Sequence, residues 1–338
     1  MITDRYYFNR LTKKEQGIYT ALYKGIINFE QQVKICNNIA SITVLENIIE
    51  AITNDNPQLY YFDQRKIEMK TIGSHCFVLL HYFFTDSECA KYNRQIESAV
   101  NSIVSNLNLA SVQNEYEKEK LIHDALSRQV DYDYEGVNTR DDRHLARAHS
   151  IVGVFISKKA VCDGIAKAVK LLFNTVNIGC IVVTGNALLE TSSGHAWNIV
   201  RINEFAYHLD ATWDITNSTR NSICYDYFNL SQVEIQKDHS NFHSIPQCTQ
   251  TADNYFVKSG LDFIDKISAM KYLSNQIMIG ERQIYFRLSS TNTKIENIAS
   301  ELIDFGIEKV SFDGYNWNAK HSINKQQNTL KIQFNIRV

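Results

Sequence analysis

Several features that would narrow the class of this chain are scarce or missing. Only 2 prolines and 13 glycines occur among 338 residues, below average shares of about 5% and 7%. This scarcity excludes collagen-like and low-complexity chains and argues against long flexible linkers. The formal net charge is -2, so no basic surplus exists to neutralise phosphates. Nucleic acid is therefore not an expected partner.

The 7 cysteines also lack a pattern. Their number is odd and no two stand in a C-x-x-C spacing, which argues against a disulfide framework and a structural zinc site. The longest apolar run, 76–84, is interrupted by His81 and is far shorter than the roughly 20 residues that cross a bilayer. The charged first ten residues leave no room for an apolar signal core. We expect no membrane span and a cytoplasmic location, with export and a removed signal as the open alternative.

What is present is typical of a globular protein, with 44% hydrophobic and 21% charged residues. The length suggests about two or three domains. We predict a mainly helical N-terminal region with one β-hairpin over 1–112, a central domain over 113–250 and a small α+β module over 255–338. The oligomeric state does not follow from the sequence.

Hydrophobic periodicity predicts the elements of the flanking regions. The predicted helices are 11–28, 41–53 with Ser41 as N-cap, 86–107 with Asp86 or Ser87 as cap, and 114–130. The hairpin strands are 65–71 and 76–84, and the polar stretch 131–149 is expected to be a solvated loop. In the C-terminal module we predict strands over 283–288, 309–312 and 330–337, and a helix near 295–305 that ends at Gly306 as C-cap.

The residues that carry chemistry lie between 160 and 245, and the first is Cys162. It opens a predicted helix whose apolar positions recur at helical spacing from Ile165 onward. A thiol in the first turn of a helix lies beside unpaired backbone amides and the positive end of the dipole, which favours the nucleophilic thiolate. Taken alone, a cysteine in this position is more often a small buried hydrophobic residue.

Two alternating runs, 194–202 and 205–214, read as an antiparallel hairpin with Asn203 and Glu204 at its tip. A two-residue turn places His195 opposite Thr212 and Asp210 diagonally across from His195 on the same face. An aspartate can reach an imidazole nitrogen from that position. A slip of one residue would move Asp210 to the other face.

Cys162, His195 and Asp210 together suit nucleophilic catalysis, because a nucleophile needs a base and the base needs an orienting partner. Each residue alone has a more ordinary structural interpretation. His239 and His243 are four apart, but the segment 238–241 reads as a turn rather than a helix. No metal site is predicted there.

These segments resemble the transglutaminase-like superfamily, whose core shares the papain-like arrangement of cysteine enzymes. The resemblance rests on Ala160-Val161-Cys162-Asp163-Gly164, Gly194-His195-Ala196-Trp197-Asn198 and Leu209-Asp210-Ala211-Thr212-Trp213-Asp214. Tyr225-Asp226-Tyr227-Phe228-Asn229-Leu230, Asp238-His239 and His149-Ser150 resemble further parts of bacterial, multi-domain members. The likeness covers about 115–245. Ile165 and Glu204 depart from the family's usual tyrosine and turn glycine.

The resemblance implies an α+β fold with a papain-like core, in which the nucleophile stands at a helix N-terminus packed on an antiparallel sheet. It implies Cys162 as nucleophile, His195 as base and Asp210 as the orienting carboxylate, in a protease, deamidase or transamidase that acts on a protein or peptide and needs no cofactor. Candidates for an oxyanion donor or for lining the site are Trp197, His149, Ser150 and Trp213. The alternative is a non-catalytic module of this fold that binds or scaffolds a polypeptide.

Overall fold

The computed structural model describes residues 5–35, 41–72, 75–188, 193–240, 242, 245–289, 294–311 and 315–336. Contacts divide the chain into two compact units. The first comprises Met1–Cys224 with His239–Cys248, and the second comprises Tyr225–Asp238 with Thr249–Val338. Among the described residues, no helix is both long enough and apolar enough to cross a membrane.

The N-terminal part of the first unit is built from helices and a small antiparallel sheet, whose strand β1 was not predicted. Its elements are α1 (Lys13–Ile27), β1 (Gln32–Ile35), α2 (Ile42–Asp55), β2 (Glu68–Ile72), β3 (His75–Leu79), α3 (Asp86–Asn106) and α4 (Glu115–Gln129). The strand order is β1-β3-β2. Residues 73–74, the predicted hairpin turn, lie outside the described residues.

The caps of these helices agree with prediction in one case and differ in another. Ser41 caps α2, as its position predicts. The cap of α3 is Thr85 rather than Asp86 or Ser87, because Thr85 and Glu88 form a reciprocal capping box. The Thr85 hydroxyl accepts from the Glu88 amide, and the Glu88 carboxylate accepts from the Thr85 amide.

The polar stretch 131–149 is not the predicted solvated loop. It forms β4 (Asp131–Tyr132), a 3₁₀ turn (Gly136–Asn138) and α5 (Asp142–Ala148). Its charged residues are used locally: the Asp141 carboxylate caps α5, and buried Asp133 accepts from His144. Acidic residues that cap helices and pair with neighbours support structure, so polarity alone misled the prediction.

The centre of the first unit is a helix on a four-stranded antiparallel sheet of order β8-β7-β6-β9. The elements are β5 (Lys159–Ala160), α6 (Cys162–Thr175), β6 (Cys180–Ala187), β7 (Ser193–Ile202), β8 (Phe205–Leu209), α7 (Ala211–Asn217), α8 (Gln232–Ile235, second unit) and β9 (His239–Ser240). Side chains alternate between the faces of a strand. Ala196 packs with Ala166 of α6, while Trp197 joins the core on the other face with Ile181 and Val183.

The β7–β8 hairpin has the predicted two-residue turn and register, with Asn198 paired to Leu209 and Ile202 to Phe205. Asn203 and Glu204 both have positive φ, at 49° and 71°, as a type I′ turn requires. The second strand is shorter than predicted because it ends at Leu209. Asp210 then caps α7, so the segment 211–214 is helical and Thr212 does not pair with His195.

The second unit is a small α+β module around its own sheet, of order β10-β11-β13-β12. Its elements from residue 255 onward are α9 (Tyr255–Lys258), β10 (Asp262–Phe263), α10 (Lys266–Met278), β11 (Gln283–Leu288), α11 (Ile295–Val310), β12 (Trp317–Asn324) and β13 (Thr329–Ile336). Helices and strands thus mix in both units, which confirms the predicted α+β class.

Two details of the C-terminal prediction are wrong. The helix α11 continues through Gly306 to Val310, so Gly306 is not a C-cap and the segment from 309 begins no strand. A Cβ at Gly306 would lie 2.3 Å from the Phe334 ring. The glycine therefore serves close packing of α11 on β13. Strand β12 was not predicted, because its sequence is mostly polar.

Candidate active site

Cys162 is the first residue of α6, as predicted, and follows the N-cap Val161. It packs at the edge of the cluster formed by Ala166, Val182 and Ala196. Cys162 is partly exposed, whereas Cys76, Cys89, Cys180, Cys224 and Cys248 are buried. The amides of the first helical turn have no intrahelical partner. The thiol therefore combines access to solvent with a position at the positive end of the α6 dipole.

His195 and Asp210 meet as the hairpin register predicts. The His195 Nε2–Asp210 Oδ2 distance is 2.8 Å, and the Asp210 side chain is fully buried. The other oxygen of Asp210, Oδ1, accepts from the backbone amides of Thr212 and Trp213 at 3.0 and 3.2 Å. The cap of α7 therefore orients the carboxylate toward the histidine.

The charges of this pair support each other. Burial by itself lowers the pKa of His195, but the charge of Asp210, its hydrogen bond and a side-chain hydrogen bond with Cys162 raise the pKa to about 10. Burial alone would raise the pKa of Asp210, but His195 and a second histidine hold it well below its usual range. The site thus favours an imidazolium beside an ionised carboxylate.

The second histidine is His239, which sequence reasoning did not assign to the site. Its Nε2 lies 3.2 Å from Asp210 Oδ2, and the residue is only 1% exposed. His239 is 29 positions from Asp210, on a two-residue strand, so no periodic pattern indicated it. One atom each from His195, Asp210 and His239 lie within 4.8 Å of one another, a spacing that could also hold a metal ion. His243 lies outside the described residues.

Two of the predicted lining residues, both tryptophans, surround His195. The ring of Trp197 is stacked 6.0 Å from that of His195, and the half-buried Trp213 ring is 5.6 Å away. The indole N–H of Trp197 donates to His208 Nδ1 at 3.0 Å. Because that donor is engaged, Trp197 forms a wall of the site rather than an oxyanion donor in this arrangement.

The other two predicted lining residues, His149 and Ser150, contact the neighbouring face of α6. His149 Nδ1 lies 2.9 Å from Asp163 Oδ1, and Ser150 Oγ donates to the Arg147 carbonyl. Both residues border a cavity of about 240 Å³ that is also lined by Asp163 and Lys167. Neither Cys162 nor His195 is among the lining residues of this cavity. The cavity therefore lies beside the candidate site and contacts it through Asp163, the residue that follows Cys162.

Tyr132 is a further residue that the sequence analysis did not single out. Parallel pairing of β4 with β5 sets Tyr132 against Ala160, two residues before Cys162. Burial raises the pKa of Tyr132, and the charges of Cys162, Asp163 and Asp210 raise it further. The phenol therefore stays protonated near the thiol and can donate a hydrogen bond.

Residues 105–213 match the family model of the transglutaminase-like superfamily. The matched segment includes Cys162, His195 and Asp210, and it confirms the resemblance drawn from the three motifs. The segment 105–213 is therefore similar to a family whose members are usually cysteine enzymes, and the mixture of helix and sheet around it agrees with the α+β class that the resemblance implies.

Solved structures show more distant likeness. One, a TGase, is 15% identical with a TM-score of 0.31, and the match covers 54% of this chain and 50% of that one. Another, a presumed cysteine protease from Cytophaga hutchinsonii, is 16% identical with a TM-score of 0.28, over 44% of this chain and 61% of that one. The chain thus matches about half to three fifths of the length of these structures. No curated protein sequence matches it.

Proposed function

We propose that this protein is a cysteine-dependent acyl transferase that acts on the side-chain carboxamide or the peptide bond of a polypeptide. The observation that carries the proposal is the contact of His195 with the buried, hydrogen-bonded Asp210, together with the electrostatic interaction of His195 with Cys162 at the start of α6. A nucleophile, a base and an orienting carboxylate are what acyl transfer through a thioester requires.

In the first half-reaction, the Cys162 thiolate attacks the carbonyl carbon and forms a C–S bond, while the carbonyl π electrons move to oxygen. The Cys162 backbone amide in the first turn of α6 provides one hydrogen bond to this oxyanion, and the Tyr132 phenol is our candidate for the second. The His195 imidazolium gives its proton to the departing nitrogen as the C–N bond breaks. The products are an amine or ammonia and a thioester.

In the second half-reaction, neutral His195 takes a proton from water as the water oxygen attacks the thioester carbonyl. The C–S bond breaks, Cys162 leaves as thiolate, and the product is a carboxylic acid. An amine in place of water would give a new amide and cross-linking. We favour hydrolysis, because water needs no dedicated amine site.

The test is alkylation of the protein by iodoacetamide across pH, with the modified cysteines identified by peptide mass mapping. Partial exposure alone would make Cys162 react faster with iodoacetamide than the buried thiols. Burial also slows the other thiols, because it raises the pKa of Cys89 to about 11 and that of Cys180 to about 12. The decisive comparison is therefore wild type against His195→Ala, with exposed His75→Ala as the matched control. We expect Cys162 to react at neutral pH in wild type and in His75→Ala, and at least tenfold more slowly in His195→Ala.

Turnover is then measured with a glutamine-containing peptide, as ammonia release, as chain cleavage and as incorporation of dansylcadaverine. Cys162→Ala should abolish whichever signal is present. Equal alkylation rates in wild type and His195→Ala would show that no thiolate–imidazolium pair exists, and would favour the binding-module alternative.

A further inference from the structure

The carboxylate of Asp210 has an unusual set of hydrogen-bond partners for a buried orienting group. Its Oδ1 accepts two backbone amides, while its Oδ2 faces two imidazole nitrogens, His195 Nε2 at 2.8 Å and His239 Nε2 at 3.2 Å. The shorter of the two imidazole contacts is the one to His195. A single oxygen is therefore shared between the proposed base and a second histidine.

The backbone of His239 is held in register with the catalytic sheet. Strand β9 pairs with β6, which sets His239 opposite Ala187 and Ser240 opposite Asn186. A Cβ at Gly185 would lie 2.6 Å from the Ser240 carbonyl oxygen and 2.8 Å from the Trp197 ring. Glycine at 185 therefore allows β9 to approach this closely.

The ring of His239 is held as firmly as its backbone. It lies 4.8 Å from the Trp197 ring and 4.6 Å from the Trp213 ring. The titratable groups that face it include Asp210 at the N-cap of α7 and His195 on β7, whose ring is 5.4 Å away. The side chain of Cys162 contributes to the electrostatic environment of His195 in this group. In this packing, Nε2 of His239 lies toward the carboxylate.

We propose that His239 is a positioning residue, which donates Nε2–H to Asp210 and so divides the charge of Oδ2 between two histidines. An oxygen that serves one donor stabilises the His195 imidazolium more than an oxygen that serves two. Sharing weakens the hold of Asp210 on the His195 proton, which must be released to the leaving nitrogen. The inference rests on the proposed function and extends it by one residue.

Two substitutions separate this role from a purely structural one. His239→Gln keeps an N–H donor near the position of Nε2, and His239→Phe keeps a ring but removes the donor. The readouts are the pH profile of Cys162 alkylation, the titration of the His195 ring nitrogens by ¹⁵N NMR, and the rate of acyl transfer on the glutamine peptide. Because the first two readouts need no turnover, they remain informative even without a good substrate.

In His239→Phe we expect the His195 titration to move to higher pH by about one unit, and acyl transfer to fall about tenfold. In His239→Gln the rate of acyl transfer should stay within about threefold of wild type, and the His195 titration should stay close to that of wild type. Should His239→Phe fail to fold, His239→Met removes the donor with a flexible apolar side chain and replaces it in the comparison.

Three results would overturn the inference. An unchanged His195 titration in His239→Phe would show that the second donor has no influence. Equal losses in the Gln and Phe variants would indicate packing alone. Stoichiometric zinc in the purified protein that His239→Gln removes would make the cluster a metal site instead. If wild-type Cys162 shows no dependence on His195, the proposed function fails first, and the two failures are thereby distinguished.

Discussion

Asp210 in the first unit and Asp226 in the second are both buried carboxylates with several hydrogen bonds, but their partners differ in kind. Asp226 accepts from the Tyr285 and Thr329 hydroxyls, each at 2.6 Å, and from the Asn324 amide at 3.2 Å. These hydroxyl and amide donors are uncharged and do not titrate near neutral pH. Asp210 instead accepts from His195 and His239, which are titratable.

The comparison teaches that burial and hydrogen bonding of a carboxylate do not by themselves indicate a functional site. Hydroxyl and amide partners join Asp226 to residues of β11, β12 and β13, and so tie one part of the second unit together. Imidazole partners make the charge of Asp210 part of the proton transfer that we propose for this site. Two buried carboxylates are therefore expected to have different roles, one in stability and one in the proposed chemistry.

The largest expected difference between the two carboxylates is in activity. Asp210→Asn should reduce kcat on the glutamine peptide by on the order of 10³–10⁴-fold, because the amide no longer stabilises the imidazolium. Asp226→Asn should leave kcat within about threefold of wild type. Steady-state kinetics of the two purified variants make this check. Similar losses in both would mean that the carboxylates do not differ in function.

The next difference is in the pH dependence of stability. The pKa of His195 is raised to about 10 in the folded protein, against about 6.5 when unfolded. The native state therefore binds more protons between these values, so this contribution is complete below about pH 6.5 and is lost as pH rises toward 10.

Urea unfolding of wild type and His195→Gln across pH 6–10 measures that contribution, because other titrating groups such as His123 cancel in the difference. We expect the advantage of wild type to shrink steadily as pH rises. A difference that stays constant over this range would contradict a protonated His195 in the folded state.

A smaller effect is expected on the stability of the second unit. Asp226→Asn should lower its free energy of unfolding by about 1–3 kcal/mol, since the new NH₂ group cannot accept a hydrogen bond, either from the two hydroxyls at Oδ1 or from the Asn324 amide at Oδ2. Hydrogen exchange over β11 and β13 locates the loss. Thr329→Val, which removes one hydroxyl donor to Asp226 and keeps the shape of the side chain, should show a lesser effect in the same strands.

The last pair of effects, of opposite sign, concerns two glycines in helices. Gly306→Ala should destabilise the second unit by about 1–3 kcal/mol, because its new methyl group would overlap the Phe334 ring. Gly17→Ala, at an exposed position of α1 with no atom within 4 Å of the new methyl group, should stabilise by about 0.5–1 kcal/mol. Neither should change kcat, and thermal unfolding scans of both variants reveal the opposite signs.

Local pattern was enough for most elements near the site. Helical periodicity predicted that α6 begins at Cys162, and alternation with a two-residue turn predicted the register of β7 and β8. The end of β8 was placed too late, because Asp210 starts a helix whose sequence continues in strand-like residues. A cap is decided by one backbone turn, and alternation does not detect it.

The weaker predictions fail where tertiary contacts outweigh local preference. Gly306 is usually a stop signal, yet α11 continues because β13 needs a small residue at that contact. The polar strand β12 exists because it pairs along β13 over its whole length. The division into three domains remains a prediction beside the two compact units of the structure.

The sequence by itself determined where Cys162 stands in α6 and which face of the hairpin carries His195, because both follow from short-range periodicity and turn chemistry. Only the tertiary structure decided that His239 shares the Asp210 oxygen and that His149 and Ser150 border a neighbouring cavity instead. Such contacts join residues far apart in the chain through the packing of strands and helices, and no local pattern encodes the distance between them.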